Sequence, residues 1–535
     1  MENPSFDYVI VGAGAAGCVL AQRLCEDGRY TVCLLEAGPS DLHPFIHIPA
    51  GFIHVGHDPR YTWDFSTEPS EGSAGRRVTT RTGRTLGGSS AINGFNYTRG
   101  QPEDFDQWAA LGNPGWRYHD ILPYFKRTER FLGQGDSRVR GREWLLPITD
   151  CDWRHPLCDA FIESAGQYGL PTHVDYNRGD QTGAGYYQRW IHRGRRFSAA
   201  TAFLKPAKAT GRLTIKTNAH VNQILFEGKR AVGVSFQHER GGATHTVHAK
   251  RELILSAGAA NTPKILQLSG VGRVDQLQKL GIPVVHASEH VGENFQDHYM
   301  IRSILRVKGV TTINHTARGI RLIGEIAKWL IGKPSVMTIS PSFAFAFTKS
   351  RPELALNDLQ FHFSPGSYAS GVAGQLDDFP GMTLGFYQLR PTSAGQVSLR
   401  SRDPFDLPLV QPNYLESSED QQVAIDGLRL SRRLLHSAPF MPYIERDEFP
   451  PPSAQSDSEL LDCARQRGTT GWHFIGTCSM GKVVDADLRV KGIDALRIVD
   501  ASVMPTMPSG NTGAPTMMVA EKAADLILGK TPLAA

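Results

Sequence analysis

The tightest constraint on this chain lies in its first thirty-six residues, where a strand, a glycine-rich turn, a helix and a second strand ending in an acid follow one another in register. Tyr8-Val9-Ile10-Val11 is a short apolar run of the kind that forms a buried parallel strand. It leads straight into Gly12-Ala13-Gly14-Ala15-Ala16-Gly17, a G-x-G-x-x-G turn. Helical spacing runs from Cys18 to Asp27, with Leu20, Ala21 and Leu24 on one side, and Tyr30 to Leu35 reads as a second strand that ends at Glu36. Gly12 permits the tight turn, Gly14 lets the backbone approach a pyrophosphate, and Gly17 lets helix and strand pack closely. The phosphate charge then meets free N–H groups at the positive helix end, where Ala15 and Ala16 lie. Glu36, followed by Ala37, is placed to accept hydrogen bonds from ribose hydroxyls, and its charge disfavours a 2′-phosphate. The unit predicts an adenine-dinucleotide site. By itself it does not separate FAD from NAD.

A chain of 535 residues is too long for a single core, so two or more domains are expected. The balance of 57 Lys and Arg against 53 Asp and Glu, a net of +4, is too even to argue for nucleic acid or an anionic membrane as a partner. Seven cysteines, at 18, 25, 33, 151, 158, 463 and 478, show neither a disulfide framework nor zinc spacing. The first three read as small buried hydrophobes. His43, His47, His54 and His57 cluster without Cys or acid in a ligand pattern, so no metal is expected there. The start MENPSFDYVIVGAG has no basic segment before its apolar run. We therefore expect neither a secretory nor an integral membrane segment, and a cytoplasmic enzyme.

Two more glycine-rich segments follow. Residues 83–100, GRTLGGSSAINGFNYTRG, expose N–H and hydroxyl donors suited to a second phosphate or flavin contact; a surface loop is the plain alternative. Residues 253–272, LILSAGAANTPKILQLSGVG, read as a strand meeting a glycine turn, with Pro263 opening a helix that stops at Ser269-Gly270. In order and distance these segments resemble the two signatures of the glucose-methanol-choline (GMC) oxidoreductases, of the choline dehydrogenase and aryl-alcohol oxidase kind. Tyr61-Thr62-Trp63-Asp64-Phe65 with Glu68-Pro69, and the stretch from Trp472 to Leu528, resemble the same family. The match is weakest over residues 300–460.

The resemblance implies an α/β chain (α+β overall): a Rossmann-like FAD domain assembled from separate stretches, and a substrate domain with a mainly antiparallel sheet flanked by helices. On that reading residues 1–158, 198–299 and 470–535 form the FAD domain, and residues 159–197 and 300–469 the substrate domain. The position that carries a covalent flavin histidine in some members is Ile92 here, so FAD is expected to be non-covalent. Carried over residue by residue, Thr85, Gly88, Asn93 and Gly94 lie along the flavin and pyrophosphate, and Trp63 belongs to the cofactor set. Val221 meets adenine through its backbone, Asp500 and Ala501 meet the ribityl-pyrophosphate region, and Trp472 and Thr512 complete the cofactor set.

In TTGWHFIGTCSMG the resemblance places His473 at the family's catalytic histidine. Oxidising an alcohol moves a hydride to flavin N5 while the hydroxyl proton leaves, and a neutral imidazole, with an unperturbed pKa of about 6.5, can take that proton. Many relatives read N-T-N further on, with the second Asn as the partner of this histidine. This chain reads Asn511-Thr512-Gly513. Glycine donates no side-chain hydrogen bond, and losing one positioned donor costs roughly 3 kcal/mol in the barrier. Asn511 either contacts cofactor or backbone, or replaces the missing donor. A second departure is Ser479, where relatives often carry arginine.

The expected activity is FAD-dependent oxidation of a small-molecule primary alcohol to an aldehyde, with O2 or another electron acceptor. The competing reading is a lyase or decarboxylase of the same fold, of the hydroxynitrile lyase or fatty acid photodecarboxylase type, to which Gly513 lends weight. No cation-binding carboxylate for choline and no polar array for a sugar stands out. The segment RGIRLIGEIAKWLI, residues 318–331, is amphipathic and expected to bury its apolar side, with an entrance cover or a membrane-surface contact as alternatives. Asp358 to Phe363 alternates as a strand with one face buried, and residues 418–436 show helical spacing.

Overall fold

The computed structural model describes residues 4–369 and 375–533. The apolar run at the N-terminus forms the strand Ser5–Val11, buried from Tyr8 onward. Such a strand needs neighbours on both edges, and it has them: Val32–Leu35 and His245–Leu255 both pair with it in parallel. Leu213–Lys216 extends the sheet beyond Val32–Leu35, and Leu496–Ile498 adds to the far side of His245–Leu255, both in parallel. The first half of His245–Leu255 instead pairs antiparallel with Arg230–Gln237, which pairs with His220–Glu227. The resulting seven-stranded sheet draws on residues spread from Ser5 to Ile498.

Helix Ala15–Glu26 packs beside Gly513–Leu528, so the chain's two ends share one core. A buried ion cluster ties them: Arg23 Nε lies 3.1 Å from Glu521 Oε2 and its Nη2 2.8 Å from Asp525 Oδ1. Cys18, Cys25 and Cys33 are buried within this core as free thiols.

The second sheet runs in the order Ile444–Phe449, Tyr299–Val307, Gly381–Gln388, Leu359–Ser364, Ala344–Thr348, Gly183–Tyr186, every pair antiparallel. One face carries Leu305, Leu384, Phe386, Phe361 and Phe363 into an apolar core beneath the helices Pro156–Gln167 and Ser418–Leu435. Leu359–Ser364 is buried along its whole length, not on one face alone. Its polar alternates explain the difference, because His362 and Ser364 wall a large internal cavity instead of meeting solvent. Arg302, Thr383 and Tyr387 do the same from the adjacent strands.

Two other expectations change. The helix expected to open at Pro263 starts five residues earlier and spans Gly258–Leu268. A proline inside a helix leaves the carbonyl four residues back without its N–H partner. Here that carbonyl, Ala259 O, accepts from Thr477 Oγ1 at 2.7 Å, which removes the cost. The amphipathic stretch forms the helix Gly319–Leu330 as expected, but its aliphatic side faces outward. Among the described residues, no helix is long and apolar enough to cross a membrane.

Candidate active site

The cavity, about 920 Å³, lies between the carboxyl ends of the parallel strands and the polar face of the antiparallel sheet. Open α/β sheets bind ligands outside those strand ends, and the volume is at the upper end of the range for small-molecule sites. At its first end Val11, Leu35 and Leu255 run out into Gly12, Glu36 and Ser256, all on the cavity wall. Gly12 has φ +102°, and a Cβ there would sit 2.4 Å from Ser256 O, so no other residue fits the turn. Gly88 has φ +51°, and a Cβ on it would stand 2.7 Å from Gly14 Cα. The two glycine loops therefore close on one another, held also by a Gly87 N–H to Ala13 O bond of 2.7 Å.

Glu36 accepts from Ala13 N and Gly38 N, each at 2.9 Å. Burial pushes its carboxyl up to about 7, against those bonds and the nearby Arg84. Asp500 accepts from Gly258 N at 2.9 Å and Thr262 Oγ1 at 2.6 Å with one oxygen, and from Ser502 N at 2.8 Å with the other. It thereby pins the head of helix Gly258–Leu268 to the C-terminal loop, and burial raises its carboxyl above the usual range.

Most residues read from the sequence as cofactor contacts come together on this wall. Gly12, Gly14, Ala15, Ala16, Glu36 and Ala37 line its first end with Trp63, Val221, Asp500 and Ala501. Gly88, Asn93, Gly94, Trp472 and Thr512 continue it inward, with Ile92 among them. Thr85 does not reach the cavity: it is fully buried behind the loop and spends its hydroxyl on Pro39 O at 2.9 Å. Among the described residues, the buried polar atoms of this wall without a protein partner include Ser256 Oγ and Trp190 Nε1, which stand ready for a ligand's donors or acceptors. The glycine cradle, the carboxylate and these free groups fit an adenine dinucleotide laid along the wall.

His473 lies at the inner end. Thr469–Thr470 pairs antiparallel with the start of Tyr299–Val307, and Gly471 N donates to His298 O at 2.6 Å. That register sets His298 and His473 side by side, their Nδ1 atoms 2.9 Å apart. Trp472 takes a left-handed backbone (φ +60°), a costly conformation for a bulky residue; it turns the chain so that His473 N meets Asp297 Oδ1 at 2.8 Å. Burial drives the His473 imidazole well below its ordinary pKa, helped by His298 and His362. Burial likewise lowers His298 to about 4 and His362 to about 3. The ring is uncharged at neutral pH.

Asn511, whose role the sequence left open, stands beside His473. Its Nδ2 lies 3.0 Å from His473 Nε2, while its Oδ1 accepts from Thr98 Oγ1 at 3.1 Å and Gln360 Nε2 at 3.4 Å. These donors orient the amide with its NH2 toward the imidazole. The preceding Ser509 is clamped by Asp104, through Ser509 N at 2.7 Å and Oγ at 2.8 Å. Gly513 is packed, not vacant: a Cβ there would stand 2.6 Å from Trp190 Cη2. Ser479 is buried off the cavity wall and accepts from Asn294 Nδ2 at 3.0 Å.

Sequence reasoning missed His298, His362 and Tyr387. Of these, His362 lies in a segment read from the sequence, the alternating strand from Asp358 to Phe363. Tyr387 stacks on His298 with ring centroids 4.2 Å apart. A polar alternation carrying histidine was the available signal.

Comparison with known proteins agrees with the geometry. The family model for GMC oxidoreductase matches in two parts, over residues 6–300 and 391–520. An alcohol dehydrogenase [acceptor] of Pseudomonas putida is 37% identical over 99% of this chain and 97% of its own length. The mitochondrial choline dehydrogenase of Homo sapiens is 39% identical over 99% and 91%. Among solved structures, pyridoxine 4-oxidase from Mesorbium loti superposes with a TM-score of 0.86 at 30% identity, covering 97% of this chain and 98% of that one.

Proposed function

This chain belongs to the GMC oxidoreductase family, and on that premise we propose that it oxidises a primary alcohol to an aldehyde, with FAD as its cofactor and His473 as the base. One observation carries the reading: an uncharged imidazole and an oriented amide meet at a single point of the wall, His473 Nε2 and Asn511 Nδ2 3.0 Å apart. An alcohol oxygen placed there has a proton acceptor and a hydrogen-bond donor within reach.

FAD would be held by the Gly12–Gly14 and Gly88 loops, with Glu36 on the adenosine ribose and Asp500 near the ribityl chain. Bound there, FAD supplies the acceptor, at N5, for the hydride that leaves the carbinol carbon. Ile92 offers no nucleophile, so the cofactor is non-covalent. His473 takes the hydroxyl proton, and its burial keeps the ring neutral and ready to do so. Asn511 donates to the oxygen as negative charge builds on it. The buried wall keeps water from competing for either group.

The wall bears on the substrate as well. Its carboxylates, Glu36 and Asp500, are taken up by backbone and hydroxyl donors at the dinucleotide end, while Arg302 and Arg467 stand at the other. That balance disfavours a quaternary ammonium such as choline. Met300, Ile304 and Phe449 beside them favour an uncharged alcohol with an apolar body. The lyase reading drew its weight from a donor missing at Gly513, and Asn511 removes that reason.

Anaerobic mixing of the flavin-loaded protein with primary alcohols tests the proposal. Flavin absorbance should bleach with at least one alcohol class, and the rate should fall about 10²- to 10⁴-fold in His473→Ala with flavin content unchanged. If no alcohol bleaches the flavin, the proposal fails. Admitting air after reduction then shows whether O2 or another acceptor takes the electrons.

A further inference from the structure

Helix Gly319–Leu330 reverses the usual arrangement of a surface helix. Ile320 is 84% exposed, Ile323 66%, Leu330 71% and the adjoining Ile331 69%. Its inner side is mixed, with the buried Glu325 between the half-buried Leu322 and Trp329. Glu325 is buried, accepts from Val336 N at 3.0 Å and caps Lys328 at 2.5 Å, while Trp329 Nε1 donates to Gly194 O at 2.7 Å. The helix is thus held to the protein by hydrogen bonds and offers its aliphatic stripe to the surroundings, which water disfavours.

The chemistry around the stripe indicates what covers it. Residues 318–333 carry four cations, Arg318, Arg321, Lys328 and Lys333, against the single acid Glu325. All four cations are exposed, and among the described residues Arg321 and Lys333 have no ion-pair partner. This segment alone carries +3, against +4 for the whole chain. A twelve-residue helix presents a stripe about 18 Å long and 10 Å wide. That footprint, about 180 Å², is far below the roughly 800 Å² per partner of a stable protein interface, so a second copy is a poor fit. An aliphatic stripe flanked by lysine and arginine matches an interfacial helix lying in an anionic bilayer surface.

We propose that this helix seats the protein on an anionic lipid surface. Ile320, Ile323, Ile326, Leu330 and Ile331 enter the acyl boundary, and Arg321, Lys328 and Lys333 meet headgroup phosphates. The same segment continues through Val336–Thr338 to Pro341 and Ser342, which line the cavity, Pro341 against Gly94. The site's rim and the lipid contact are therefore neighbours in the chain, a placement suited to an alcohol that partitions into lipid.

Flotation of the flavin-loaded protein with vesicles tests this independently of any catalytic reading. Recovery should be at least about tenfold higher with phosphatidylcholine containing phosphatidylglycerol than with phosphatidylcholine alone, and should fall at high salt. I320S/I323S/L330S should lose flotation while keeping its melting temperature and flavin content, and R321E/K333E should lose the preference for phosphatidylglycerol. Absence of flotation, or flotation unchanged in the triple variant, overturns the proposal. So does a dimer in light scattering that the triple variant converts to monomer, which would assign the face to a second copy.

Discussion

His298 Nδ1 and His473 Nδ1 lie 2.9 Å apart, and one proton must stand between them. The other nitrogen of His298, Nε2, faces Leu389 O at 3.0 Å, a carbonyl that can only accept. His298 Nε2 therefore carries that ring's proton, and its Nδ1 is a lone pair. It follows that His473 Nδ1 donates, and that His473 Nε2, the nitrogen toward the cavity and Asn511, is unprotonated. A fixed backbone carbonyl thus selects the tautomer a base requires, through a second histidine.

Replacing His298 by leucine removes the acceptor and frees the His473 tautomer. Flavin reduction by an active alcohol should slow by about 10²- to 10³-fold. KM and melting temperature should change little. Stopped-flow reduction alongside calorimetry checks it; a slow rate accompanied by an equal loss of folded protein would mean a structural role only.

Gly513→Asn, which restores the N-T-N pattern of relatives, should not raise activity. Its Cβ would stand 2.6 Å from Trp190 Cη2, and the Asn511 amide already stands 3.0 Å from His473 Nε2. Overpacking of this kind costs about 1–3 kcal/mol, so a lower denaturation midpoint is expected. A stable variant with faster flavin reduction would show that the donor was missing after all.

The first dinucleotide unit was legible because each of its parts is local: a continuous apolar run, a glycine turn and a helix within one short stretch. The cavity's far wall was not. The polar alternates of Leu359–Ser364 look solvent-facing in sequence, since alternation reports which face is polar but not what lies beyond it. The histidine pair escaped notice because 175 residues separate its members, and it is the pairing of Thr469–Thr470 with Tyr299–Met300 that brings them together. The place of Asn511 was left open for a related reason. Spacing to a family pattern fixes a residue's order along the loop, whereas the left-handed Gly510 (φ +140°), wedged against Thr98, decides which side chain reaches the imidazole. Helix Gly319–Leu330 had the right period and the wrong side, because a hydrophobic stripe alone does not say whether protein or something else covers it.

Asp297 sets a pH dependence of stability. Burial raises its carboxyl to about 6, against the hydroxyls of Thr470 and Tyr414 and the N–H of His473. The unfolded value is about 3.9. Between these values the folded state holds more protons, so the group's contribution is full below about pH 3.9 and is lost as pH rises through about 6. Asp297→Asn stays neutral throughout. Its unfolding free energy minus that of the parent should therefore climb between pH 4 and 7, by up to roughly 3 kcal/mol. Urea unfolding across that range measures the difference, and a flat one would show that Asp297 is not buried as described.

Glu36 links the same physics to the cofactor. In the ligand-free protein its carboxyl is raised to about 7 by burial, while Ala13 N and Gly38 N hold its oxygens at the mouth of the glycine cradle. Ribose hydroxyls donate best to the charged carboxylate, so binding favours loss of its proton. FAD affinity should accordingly rise as pH increases through about 7 and level off above it. Hydrogen bonds to a charged group contribute about 1.5–3 kcal/mol, so Glu36→Gln should bind FAD about 10- to 100-fold more weakly at pH 8. The amide does not titrate in this range, so the variant's affinity should not change with pH. Flavin fluorescence titrations of apoprotein at several pH values distinguish the two curves. An equal slope in both proteins would place the titrating group elsewhere and remove Glu36 from the ribose contact.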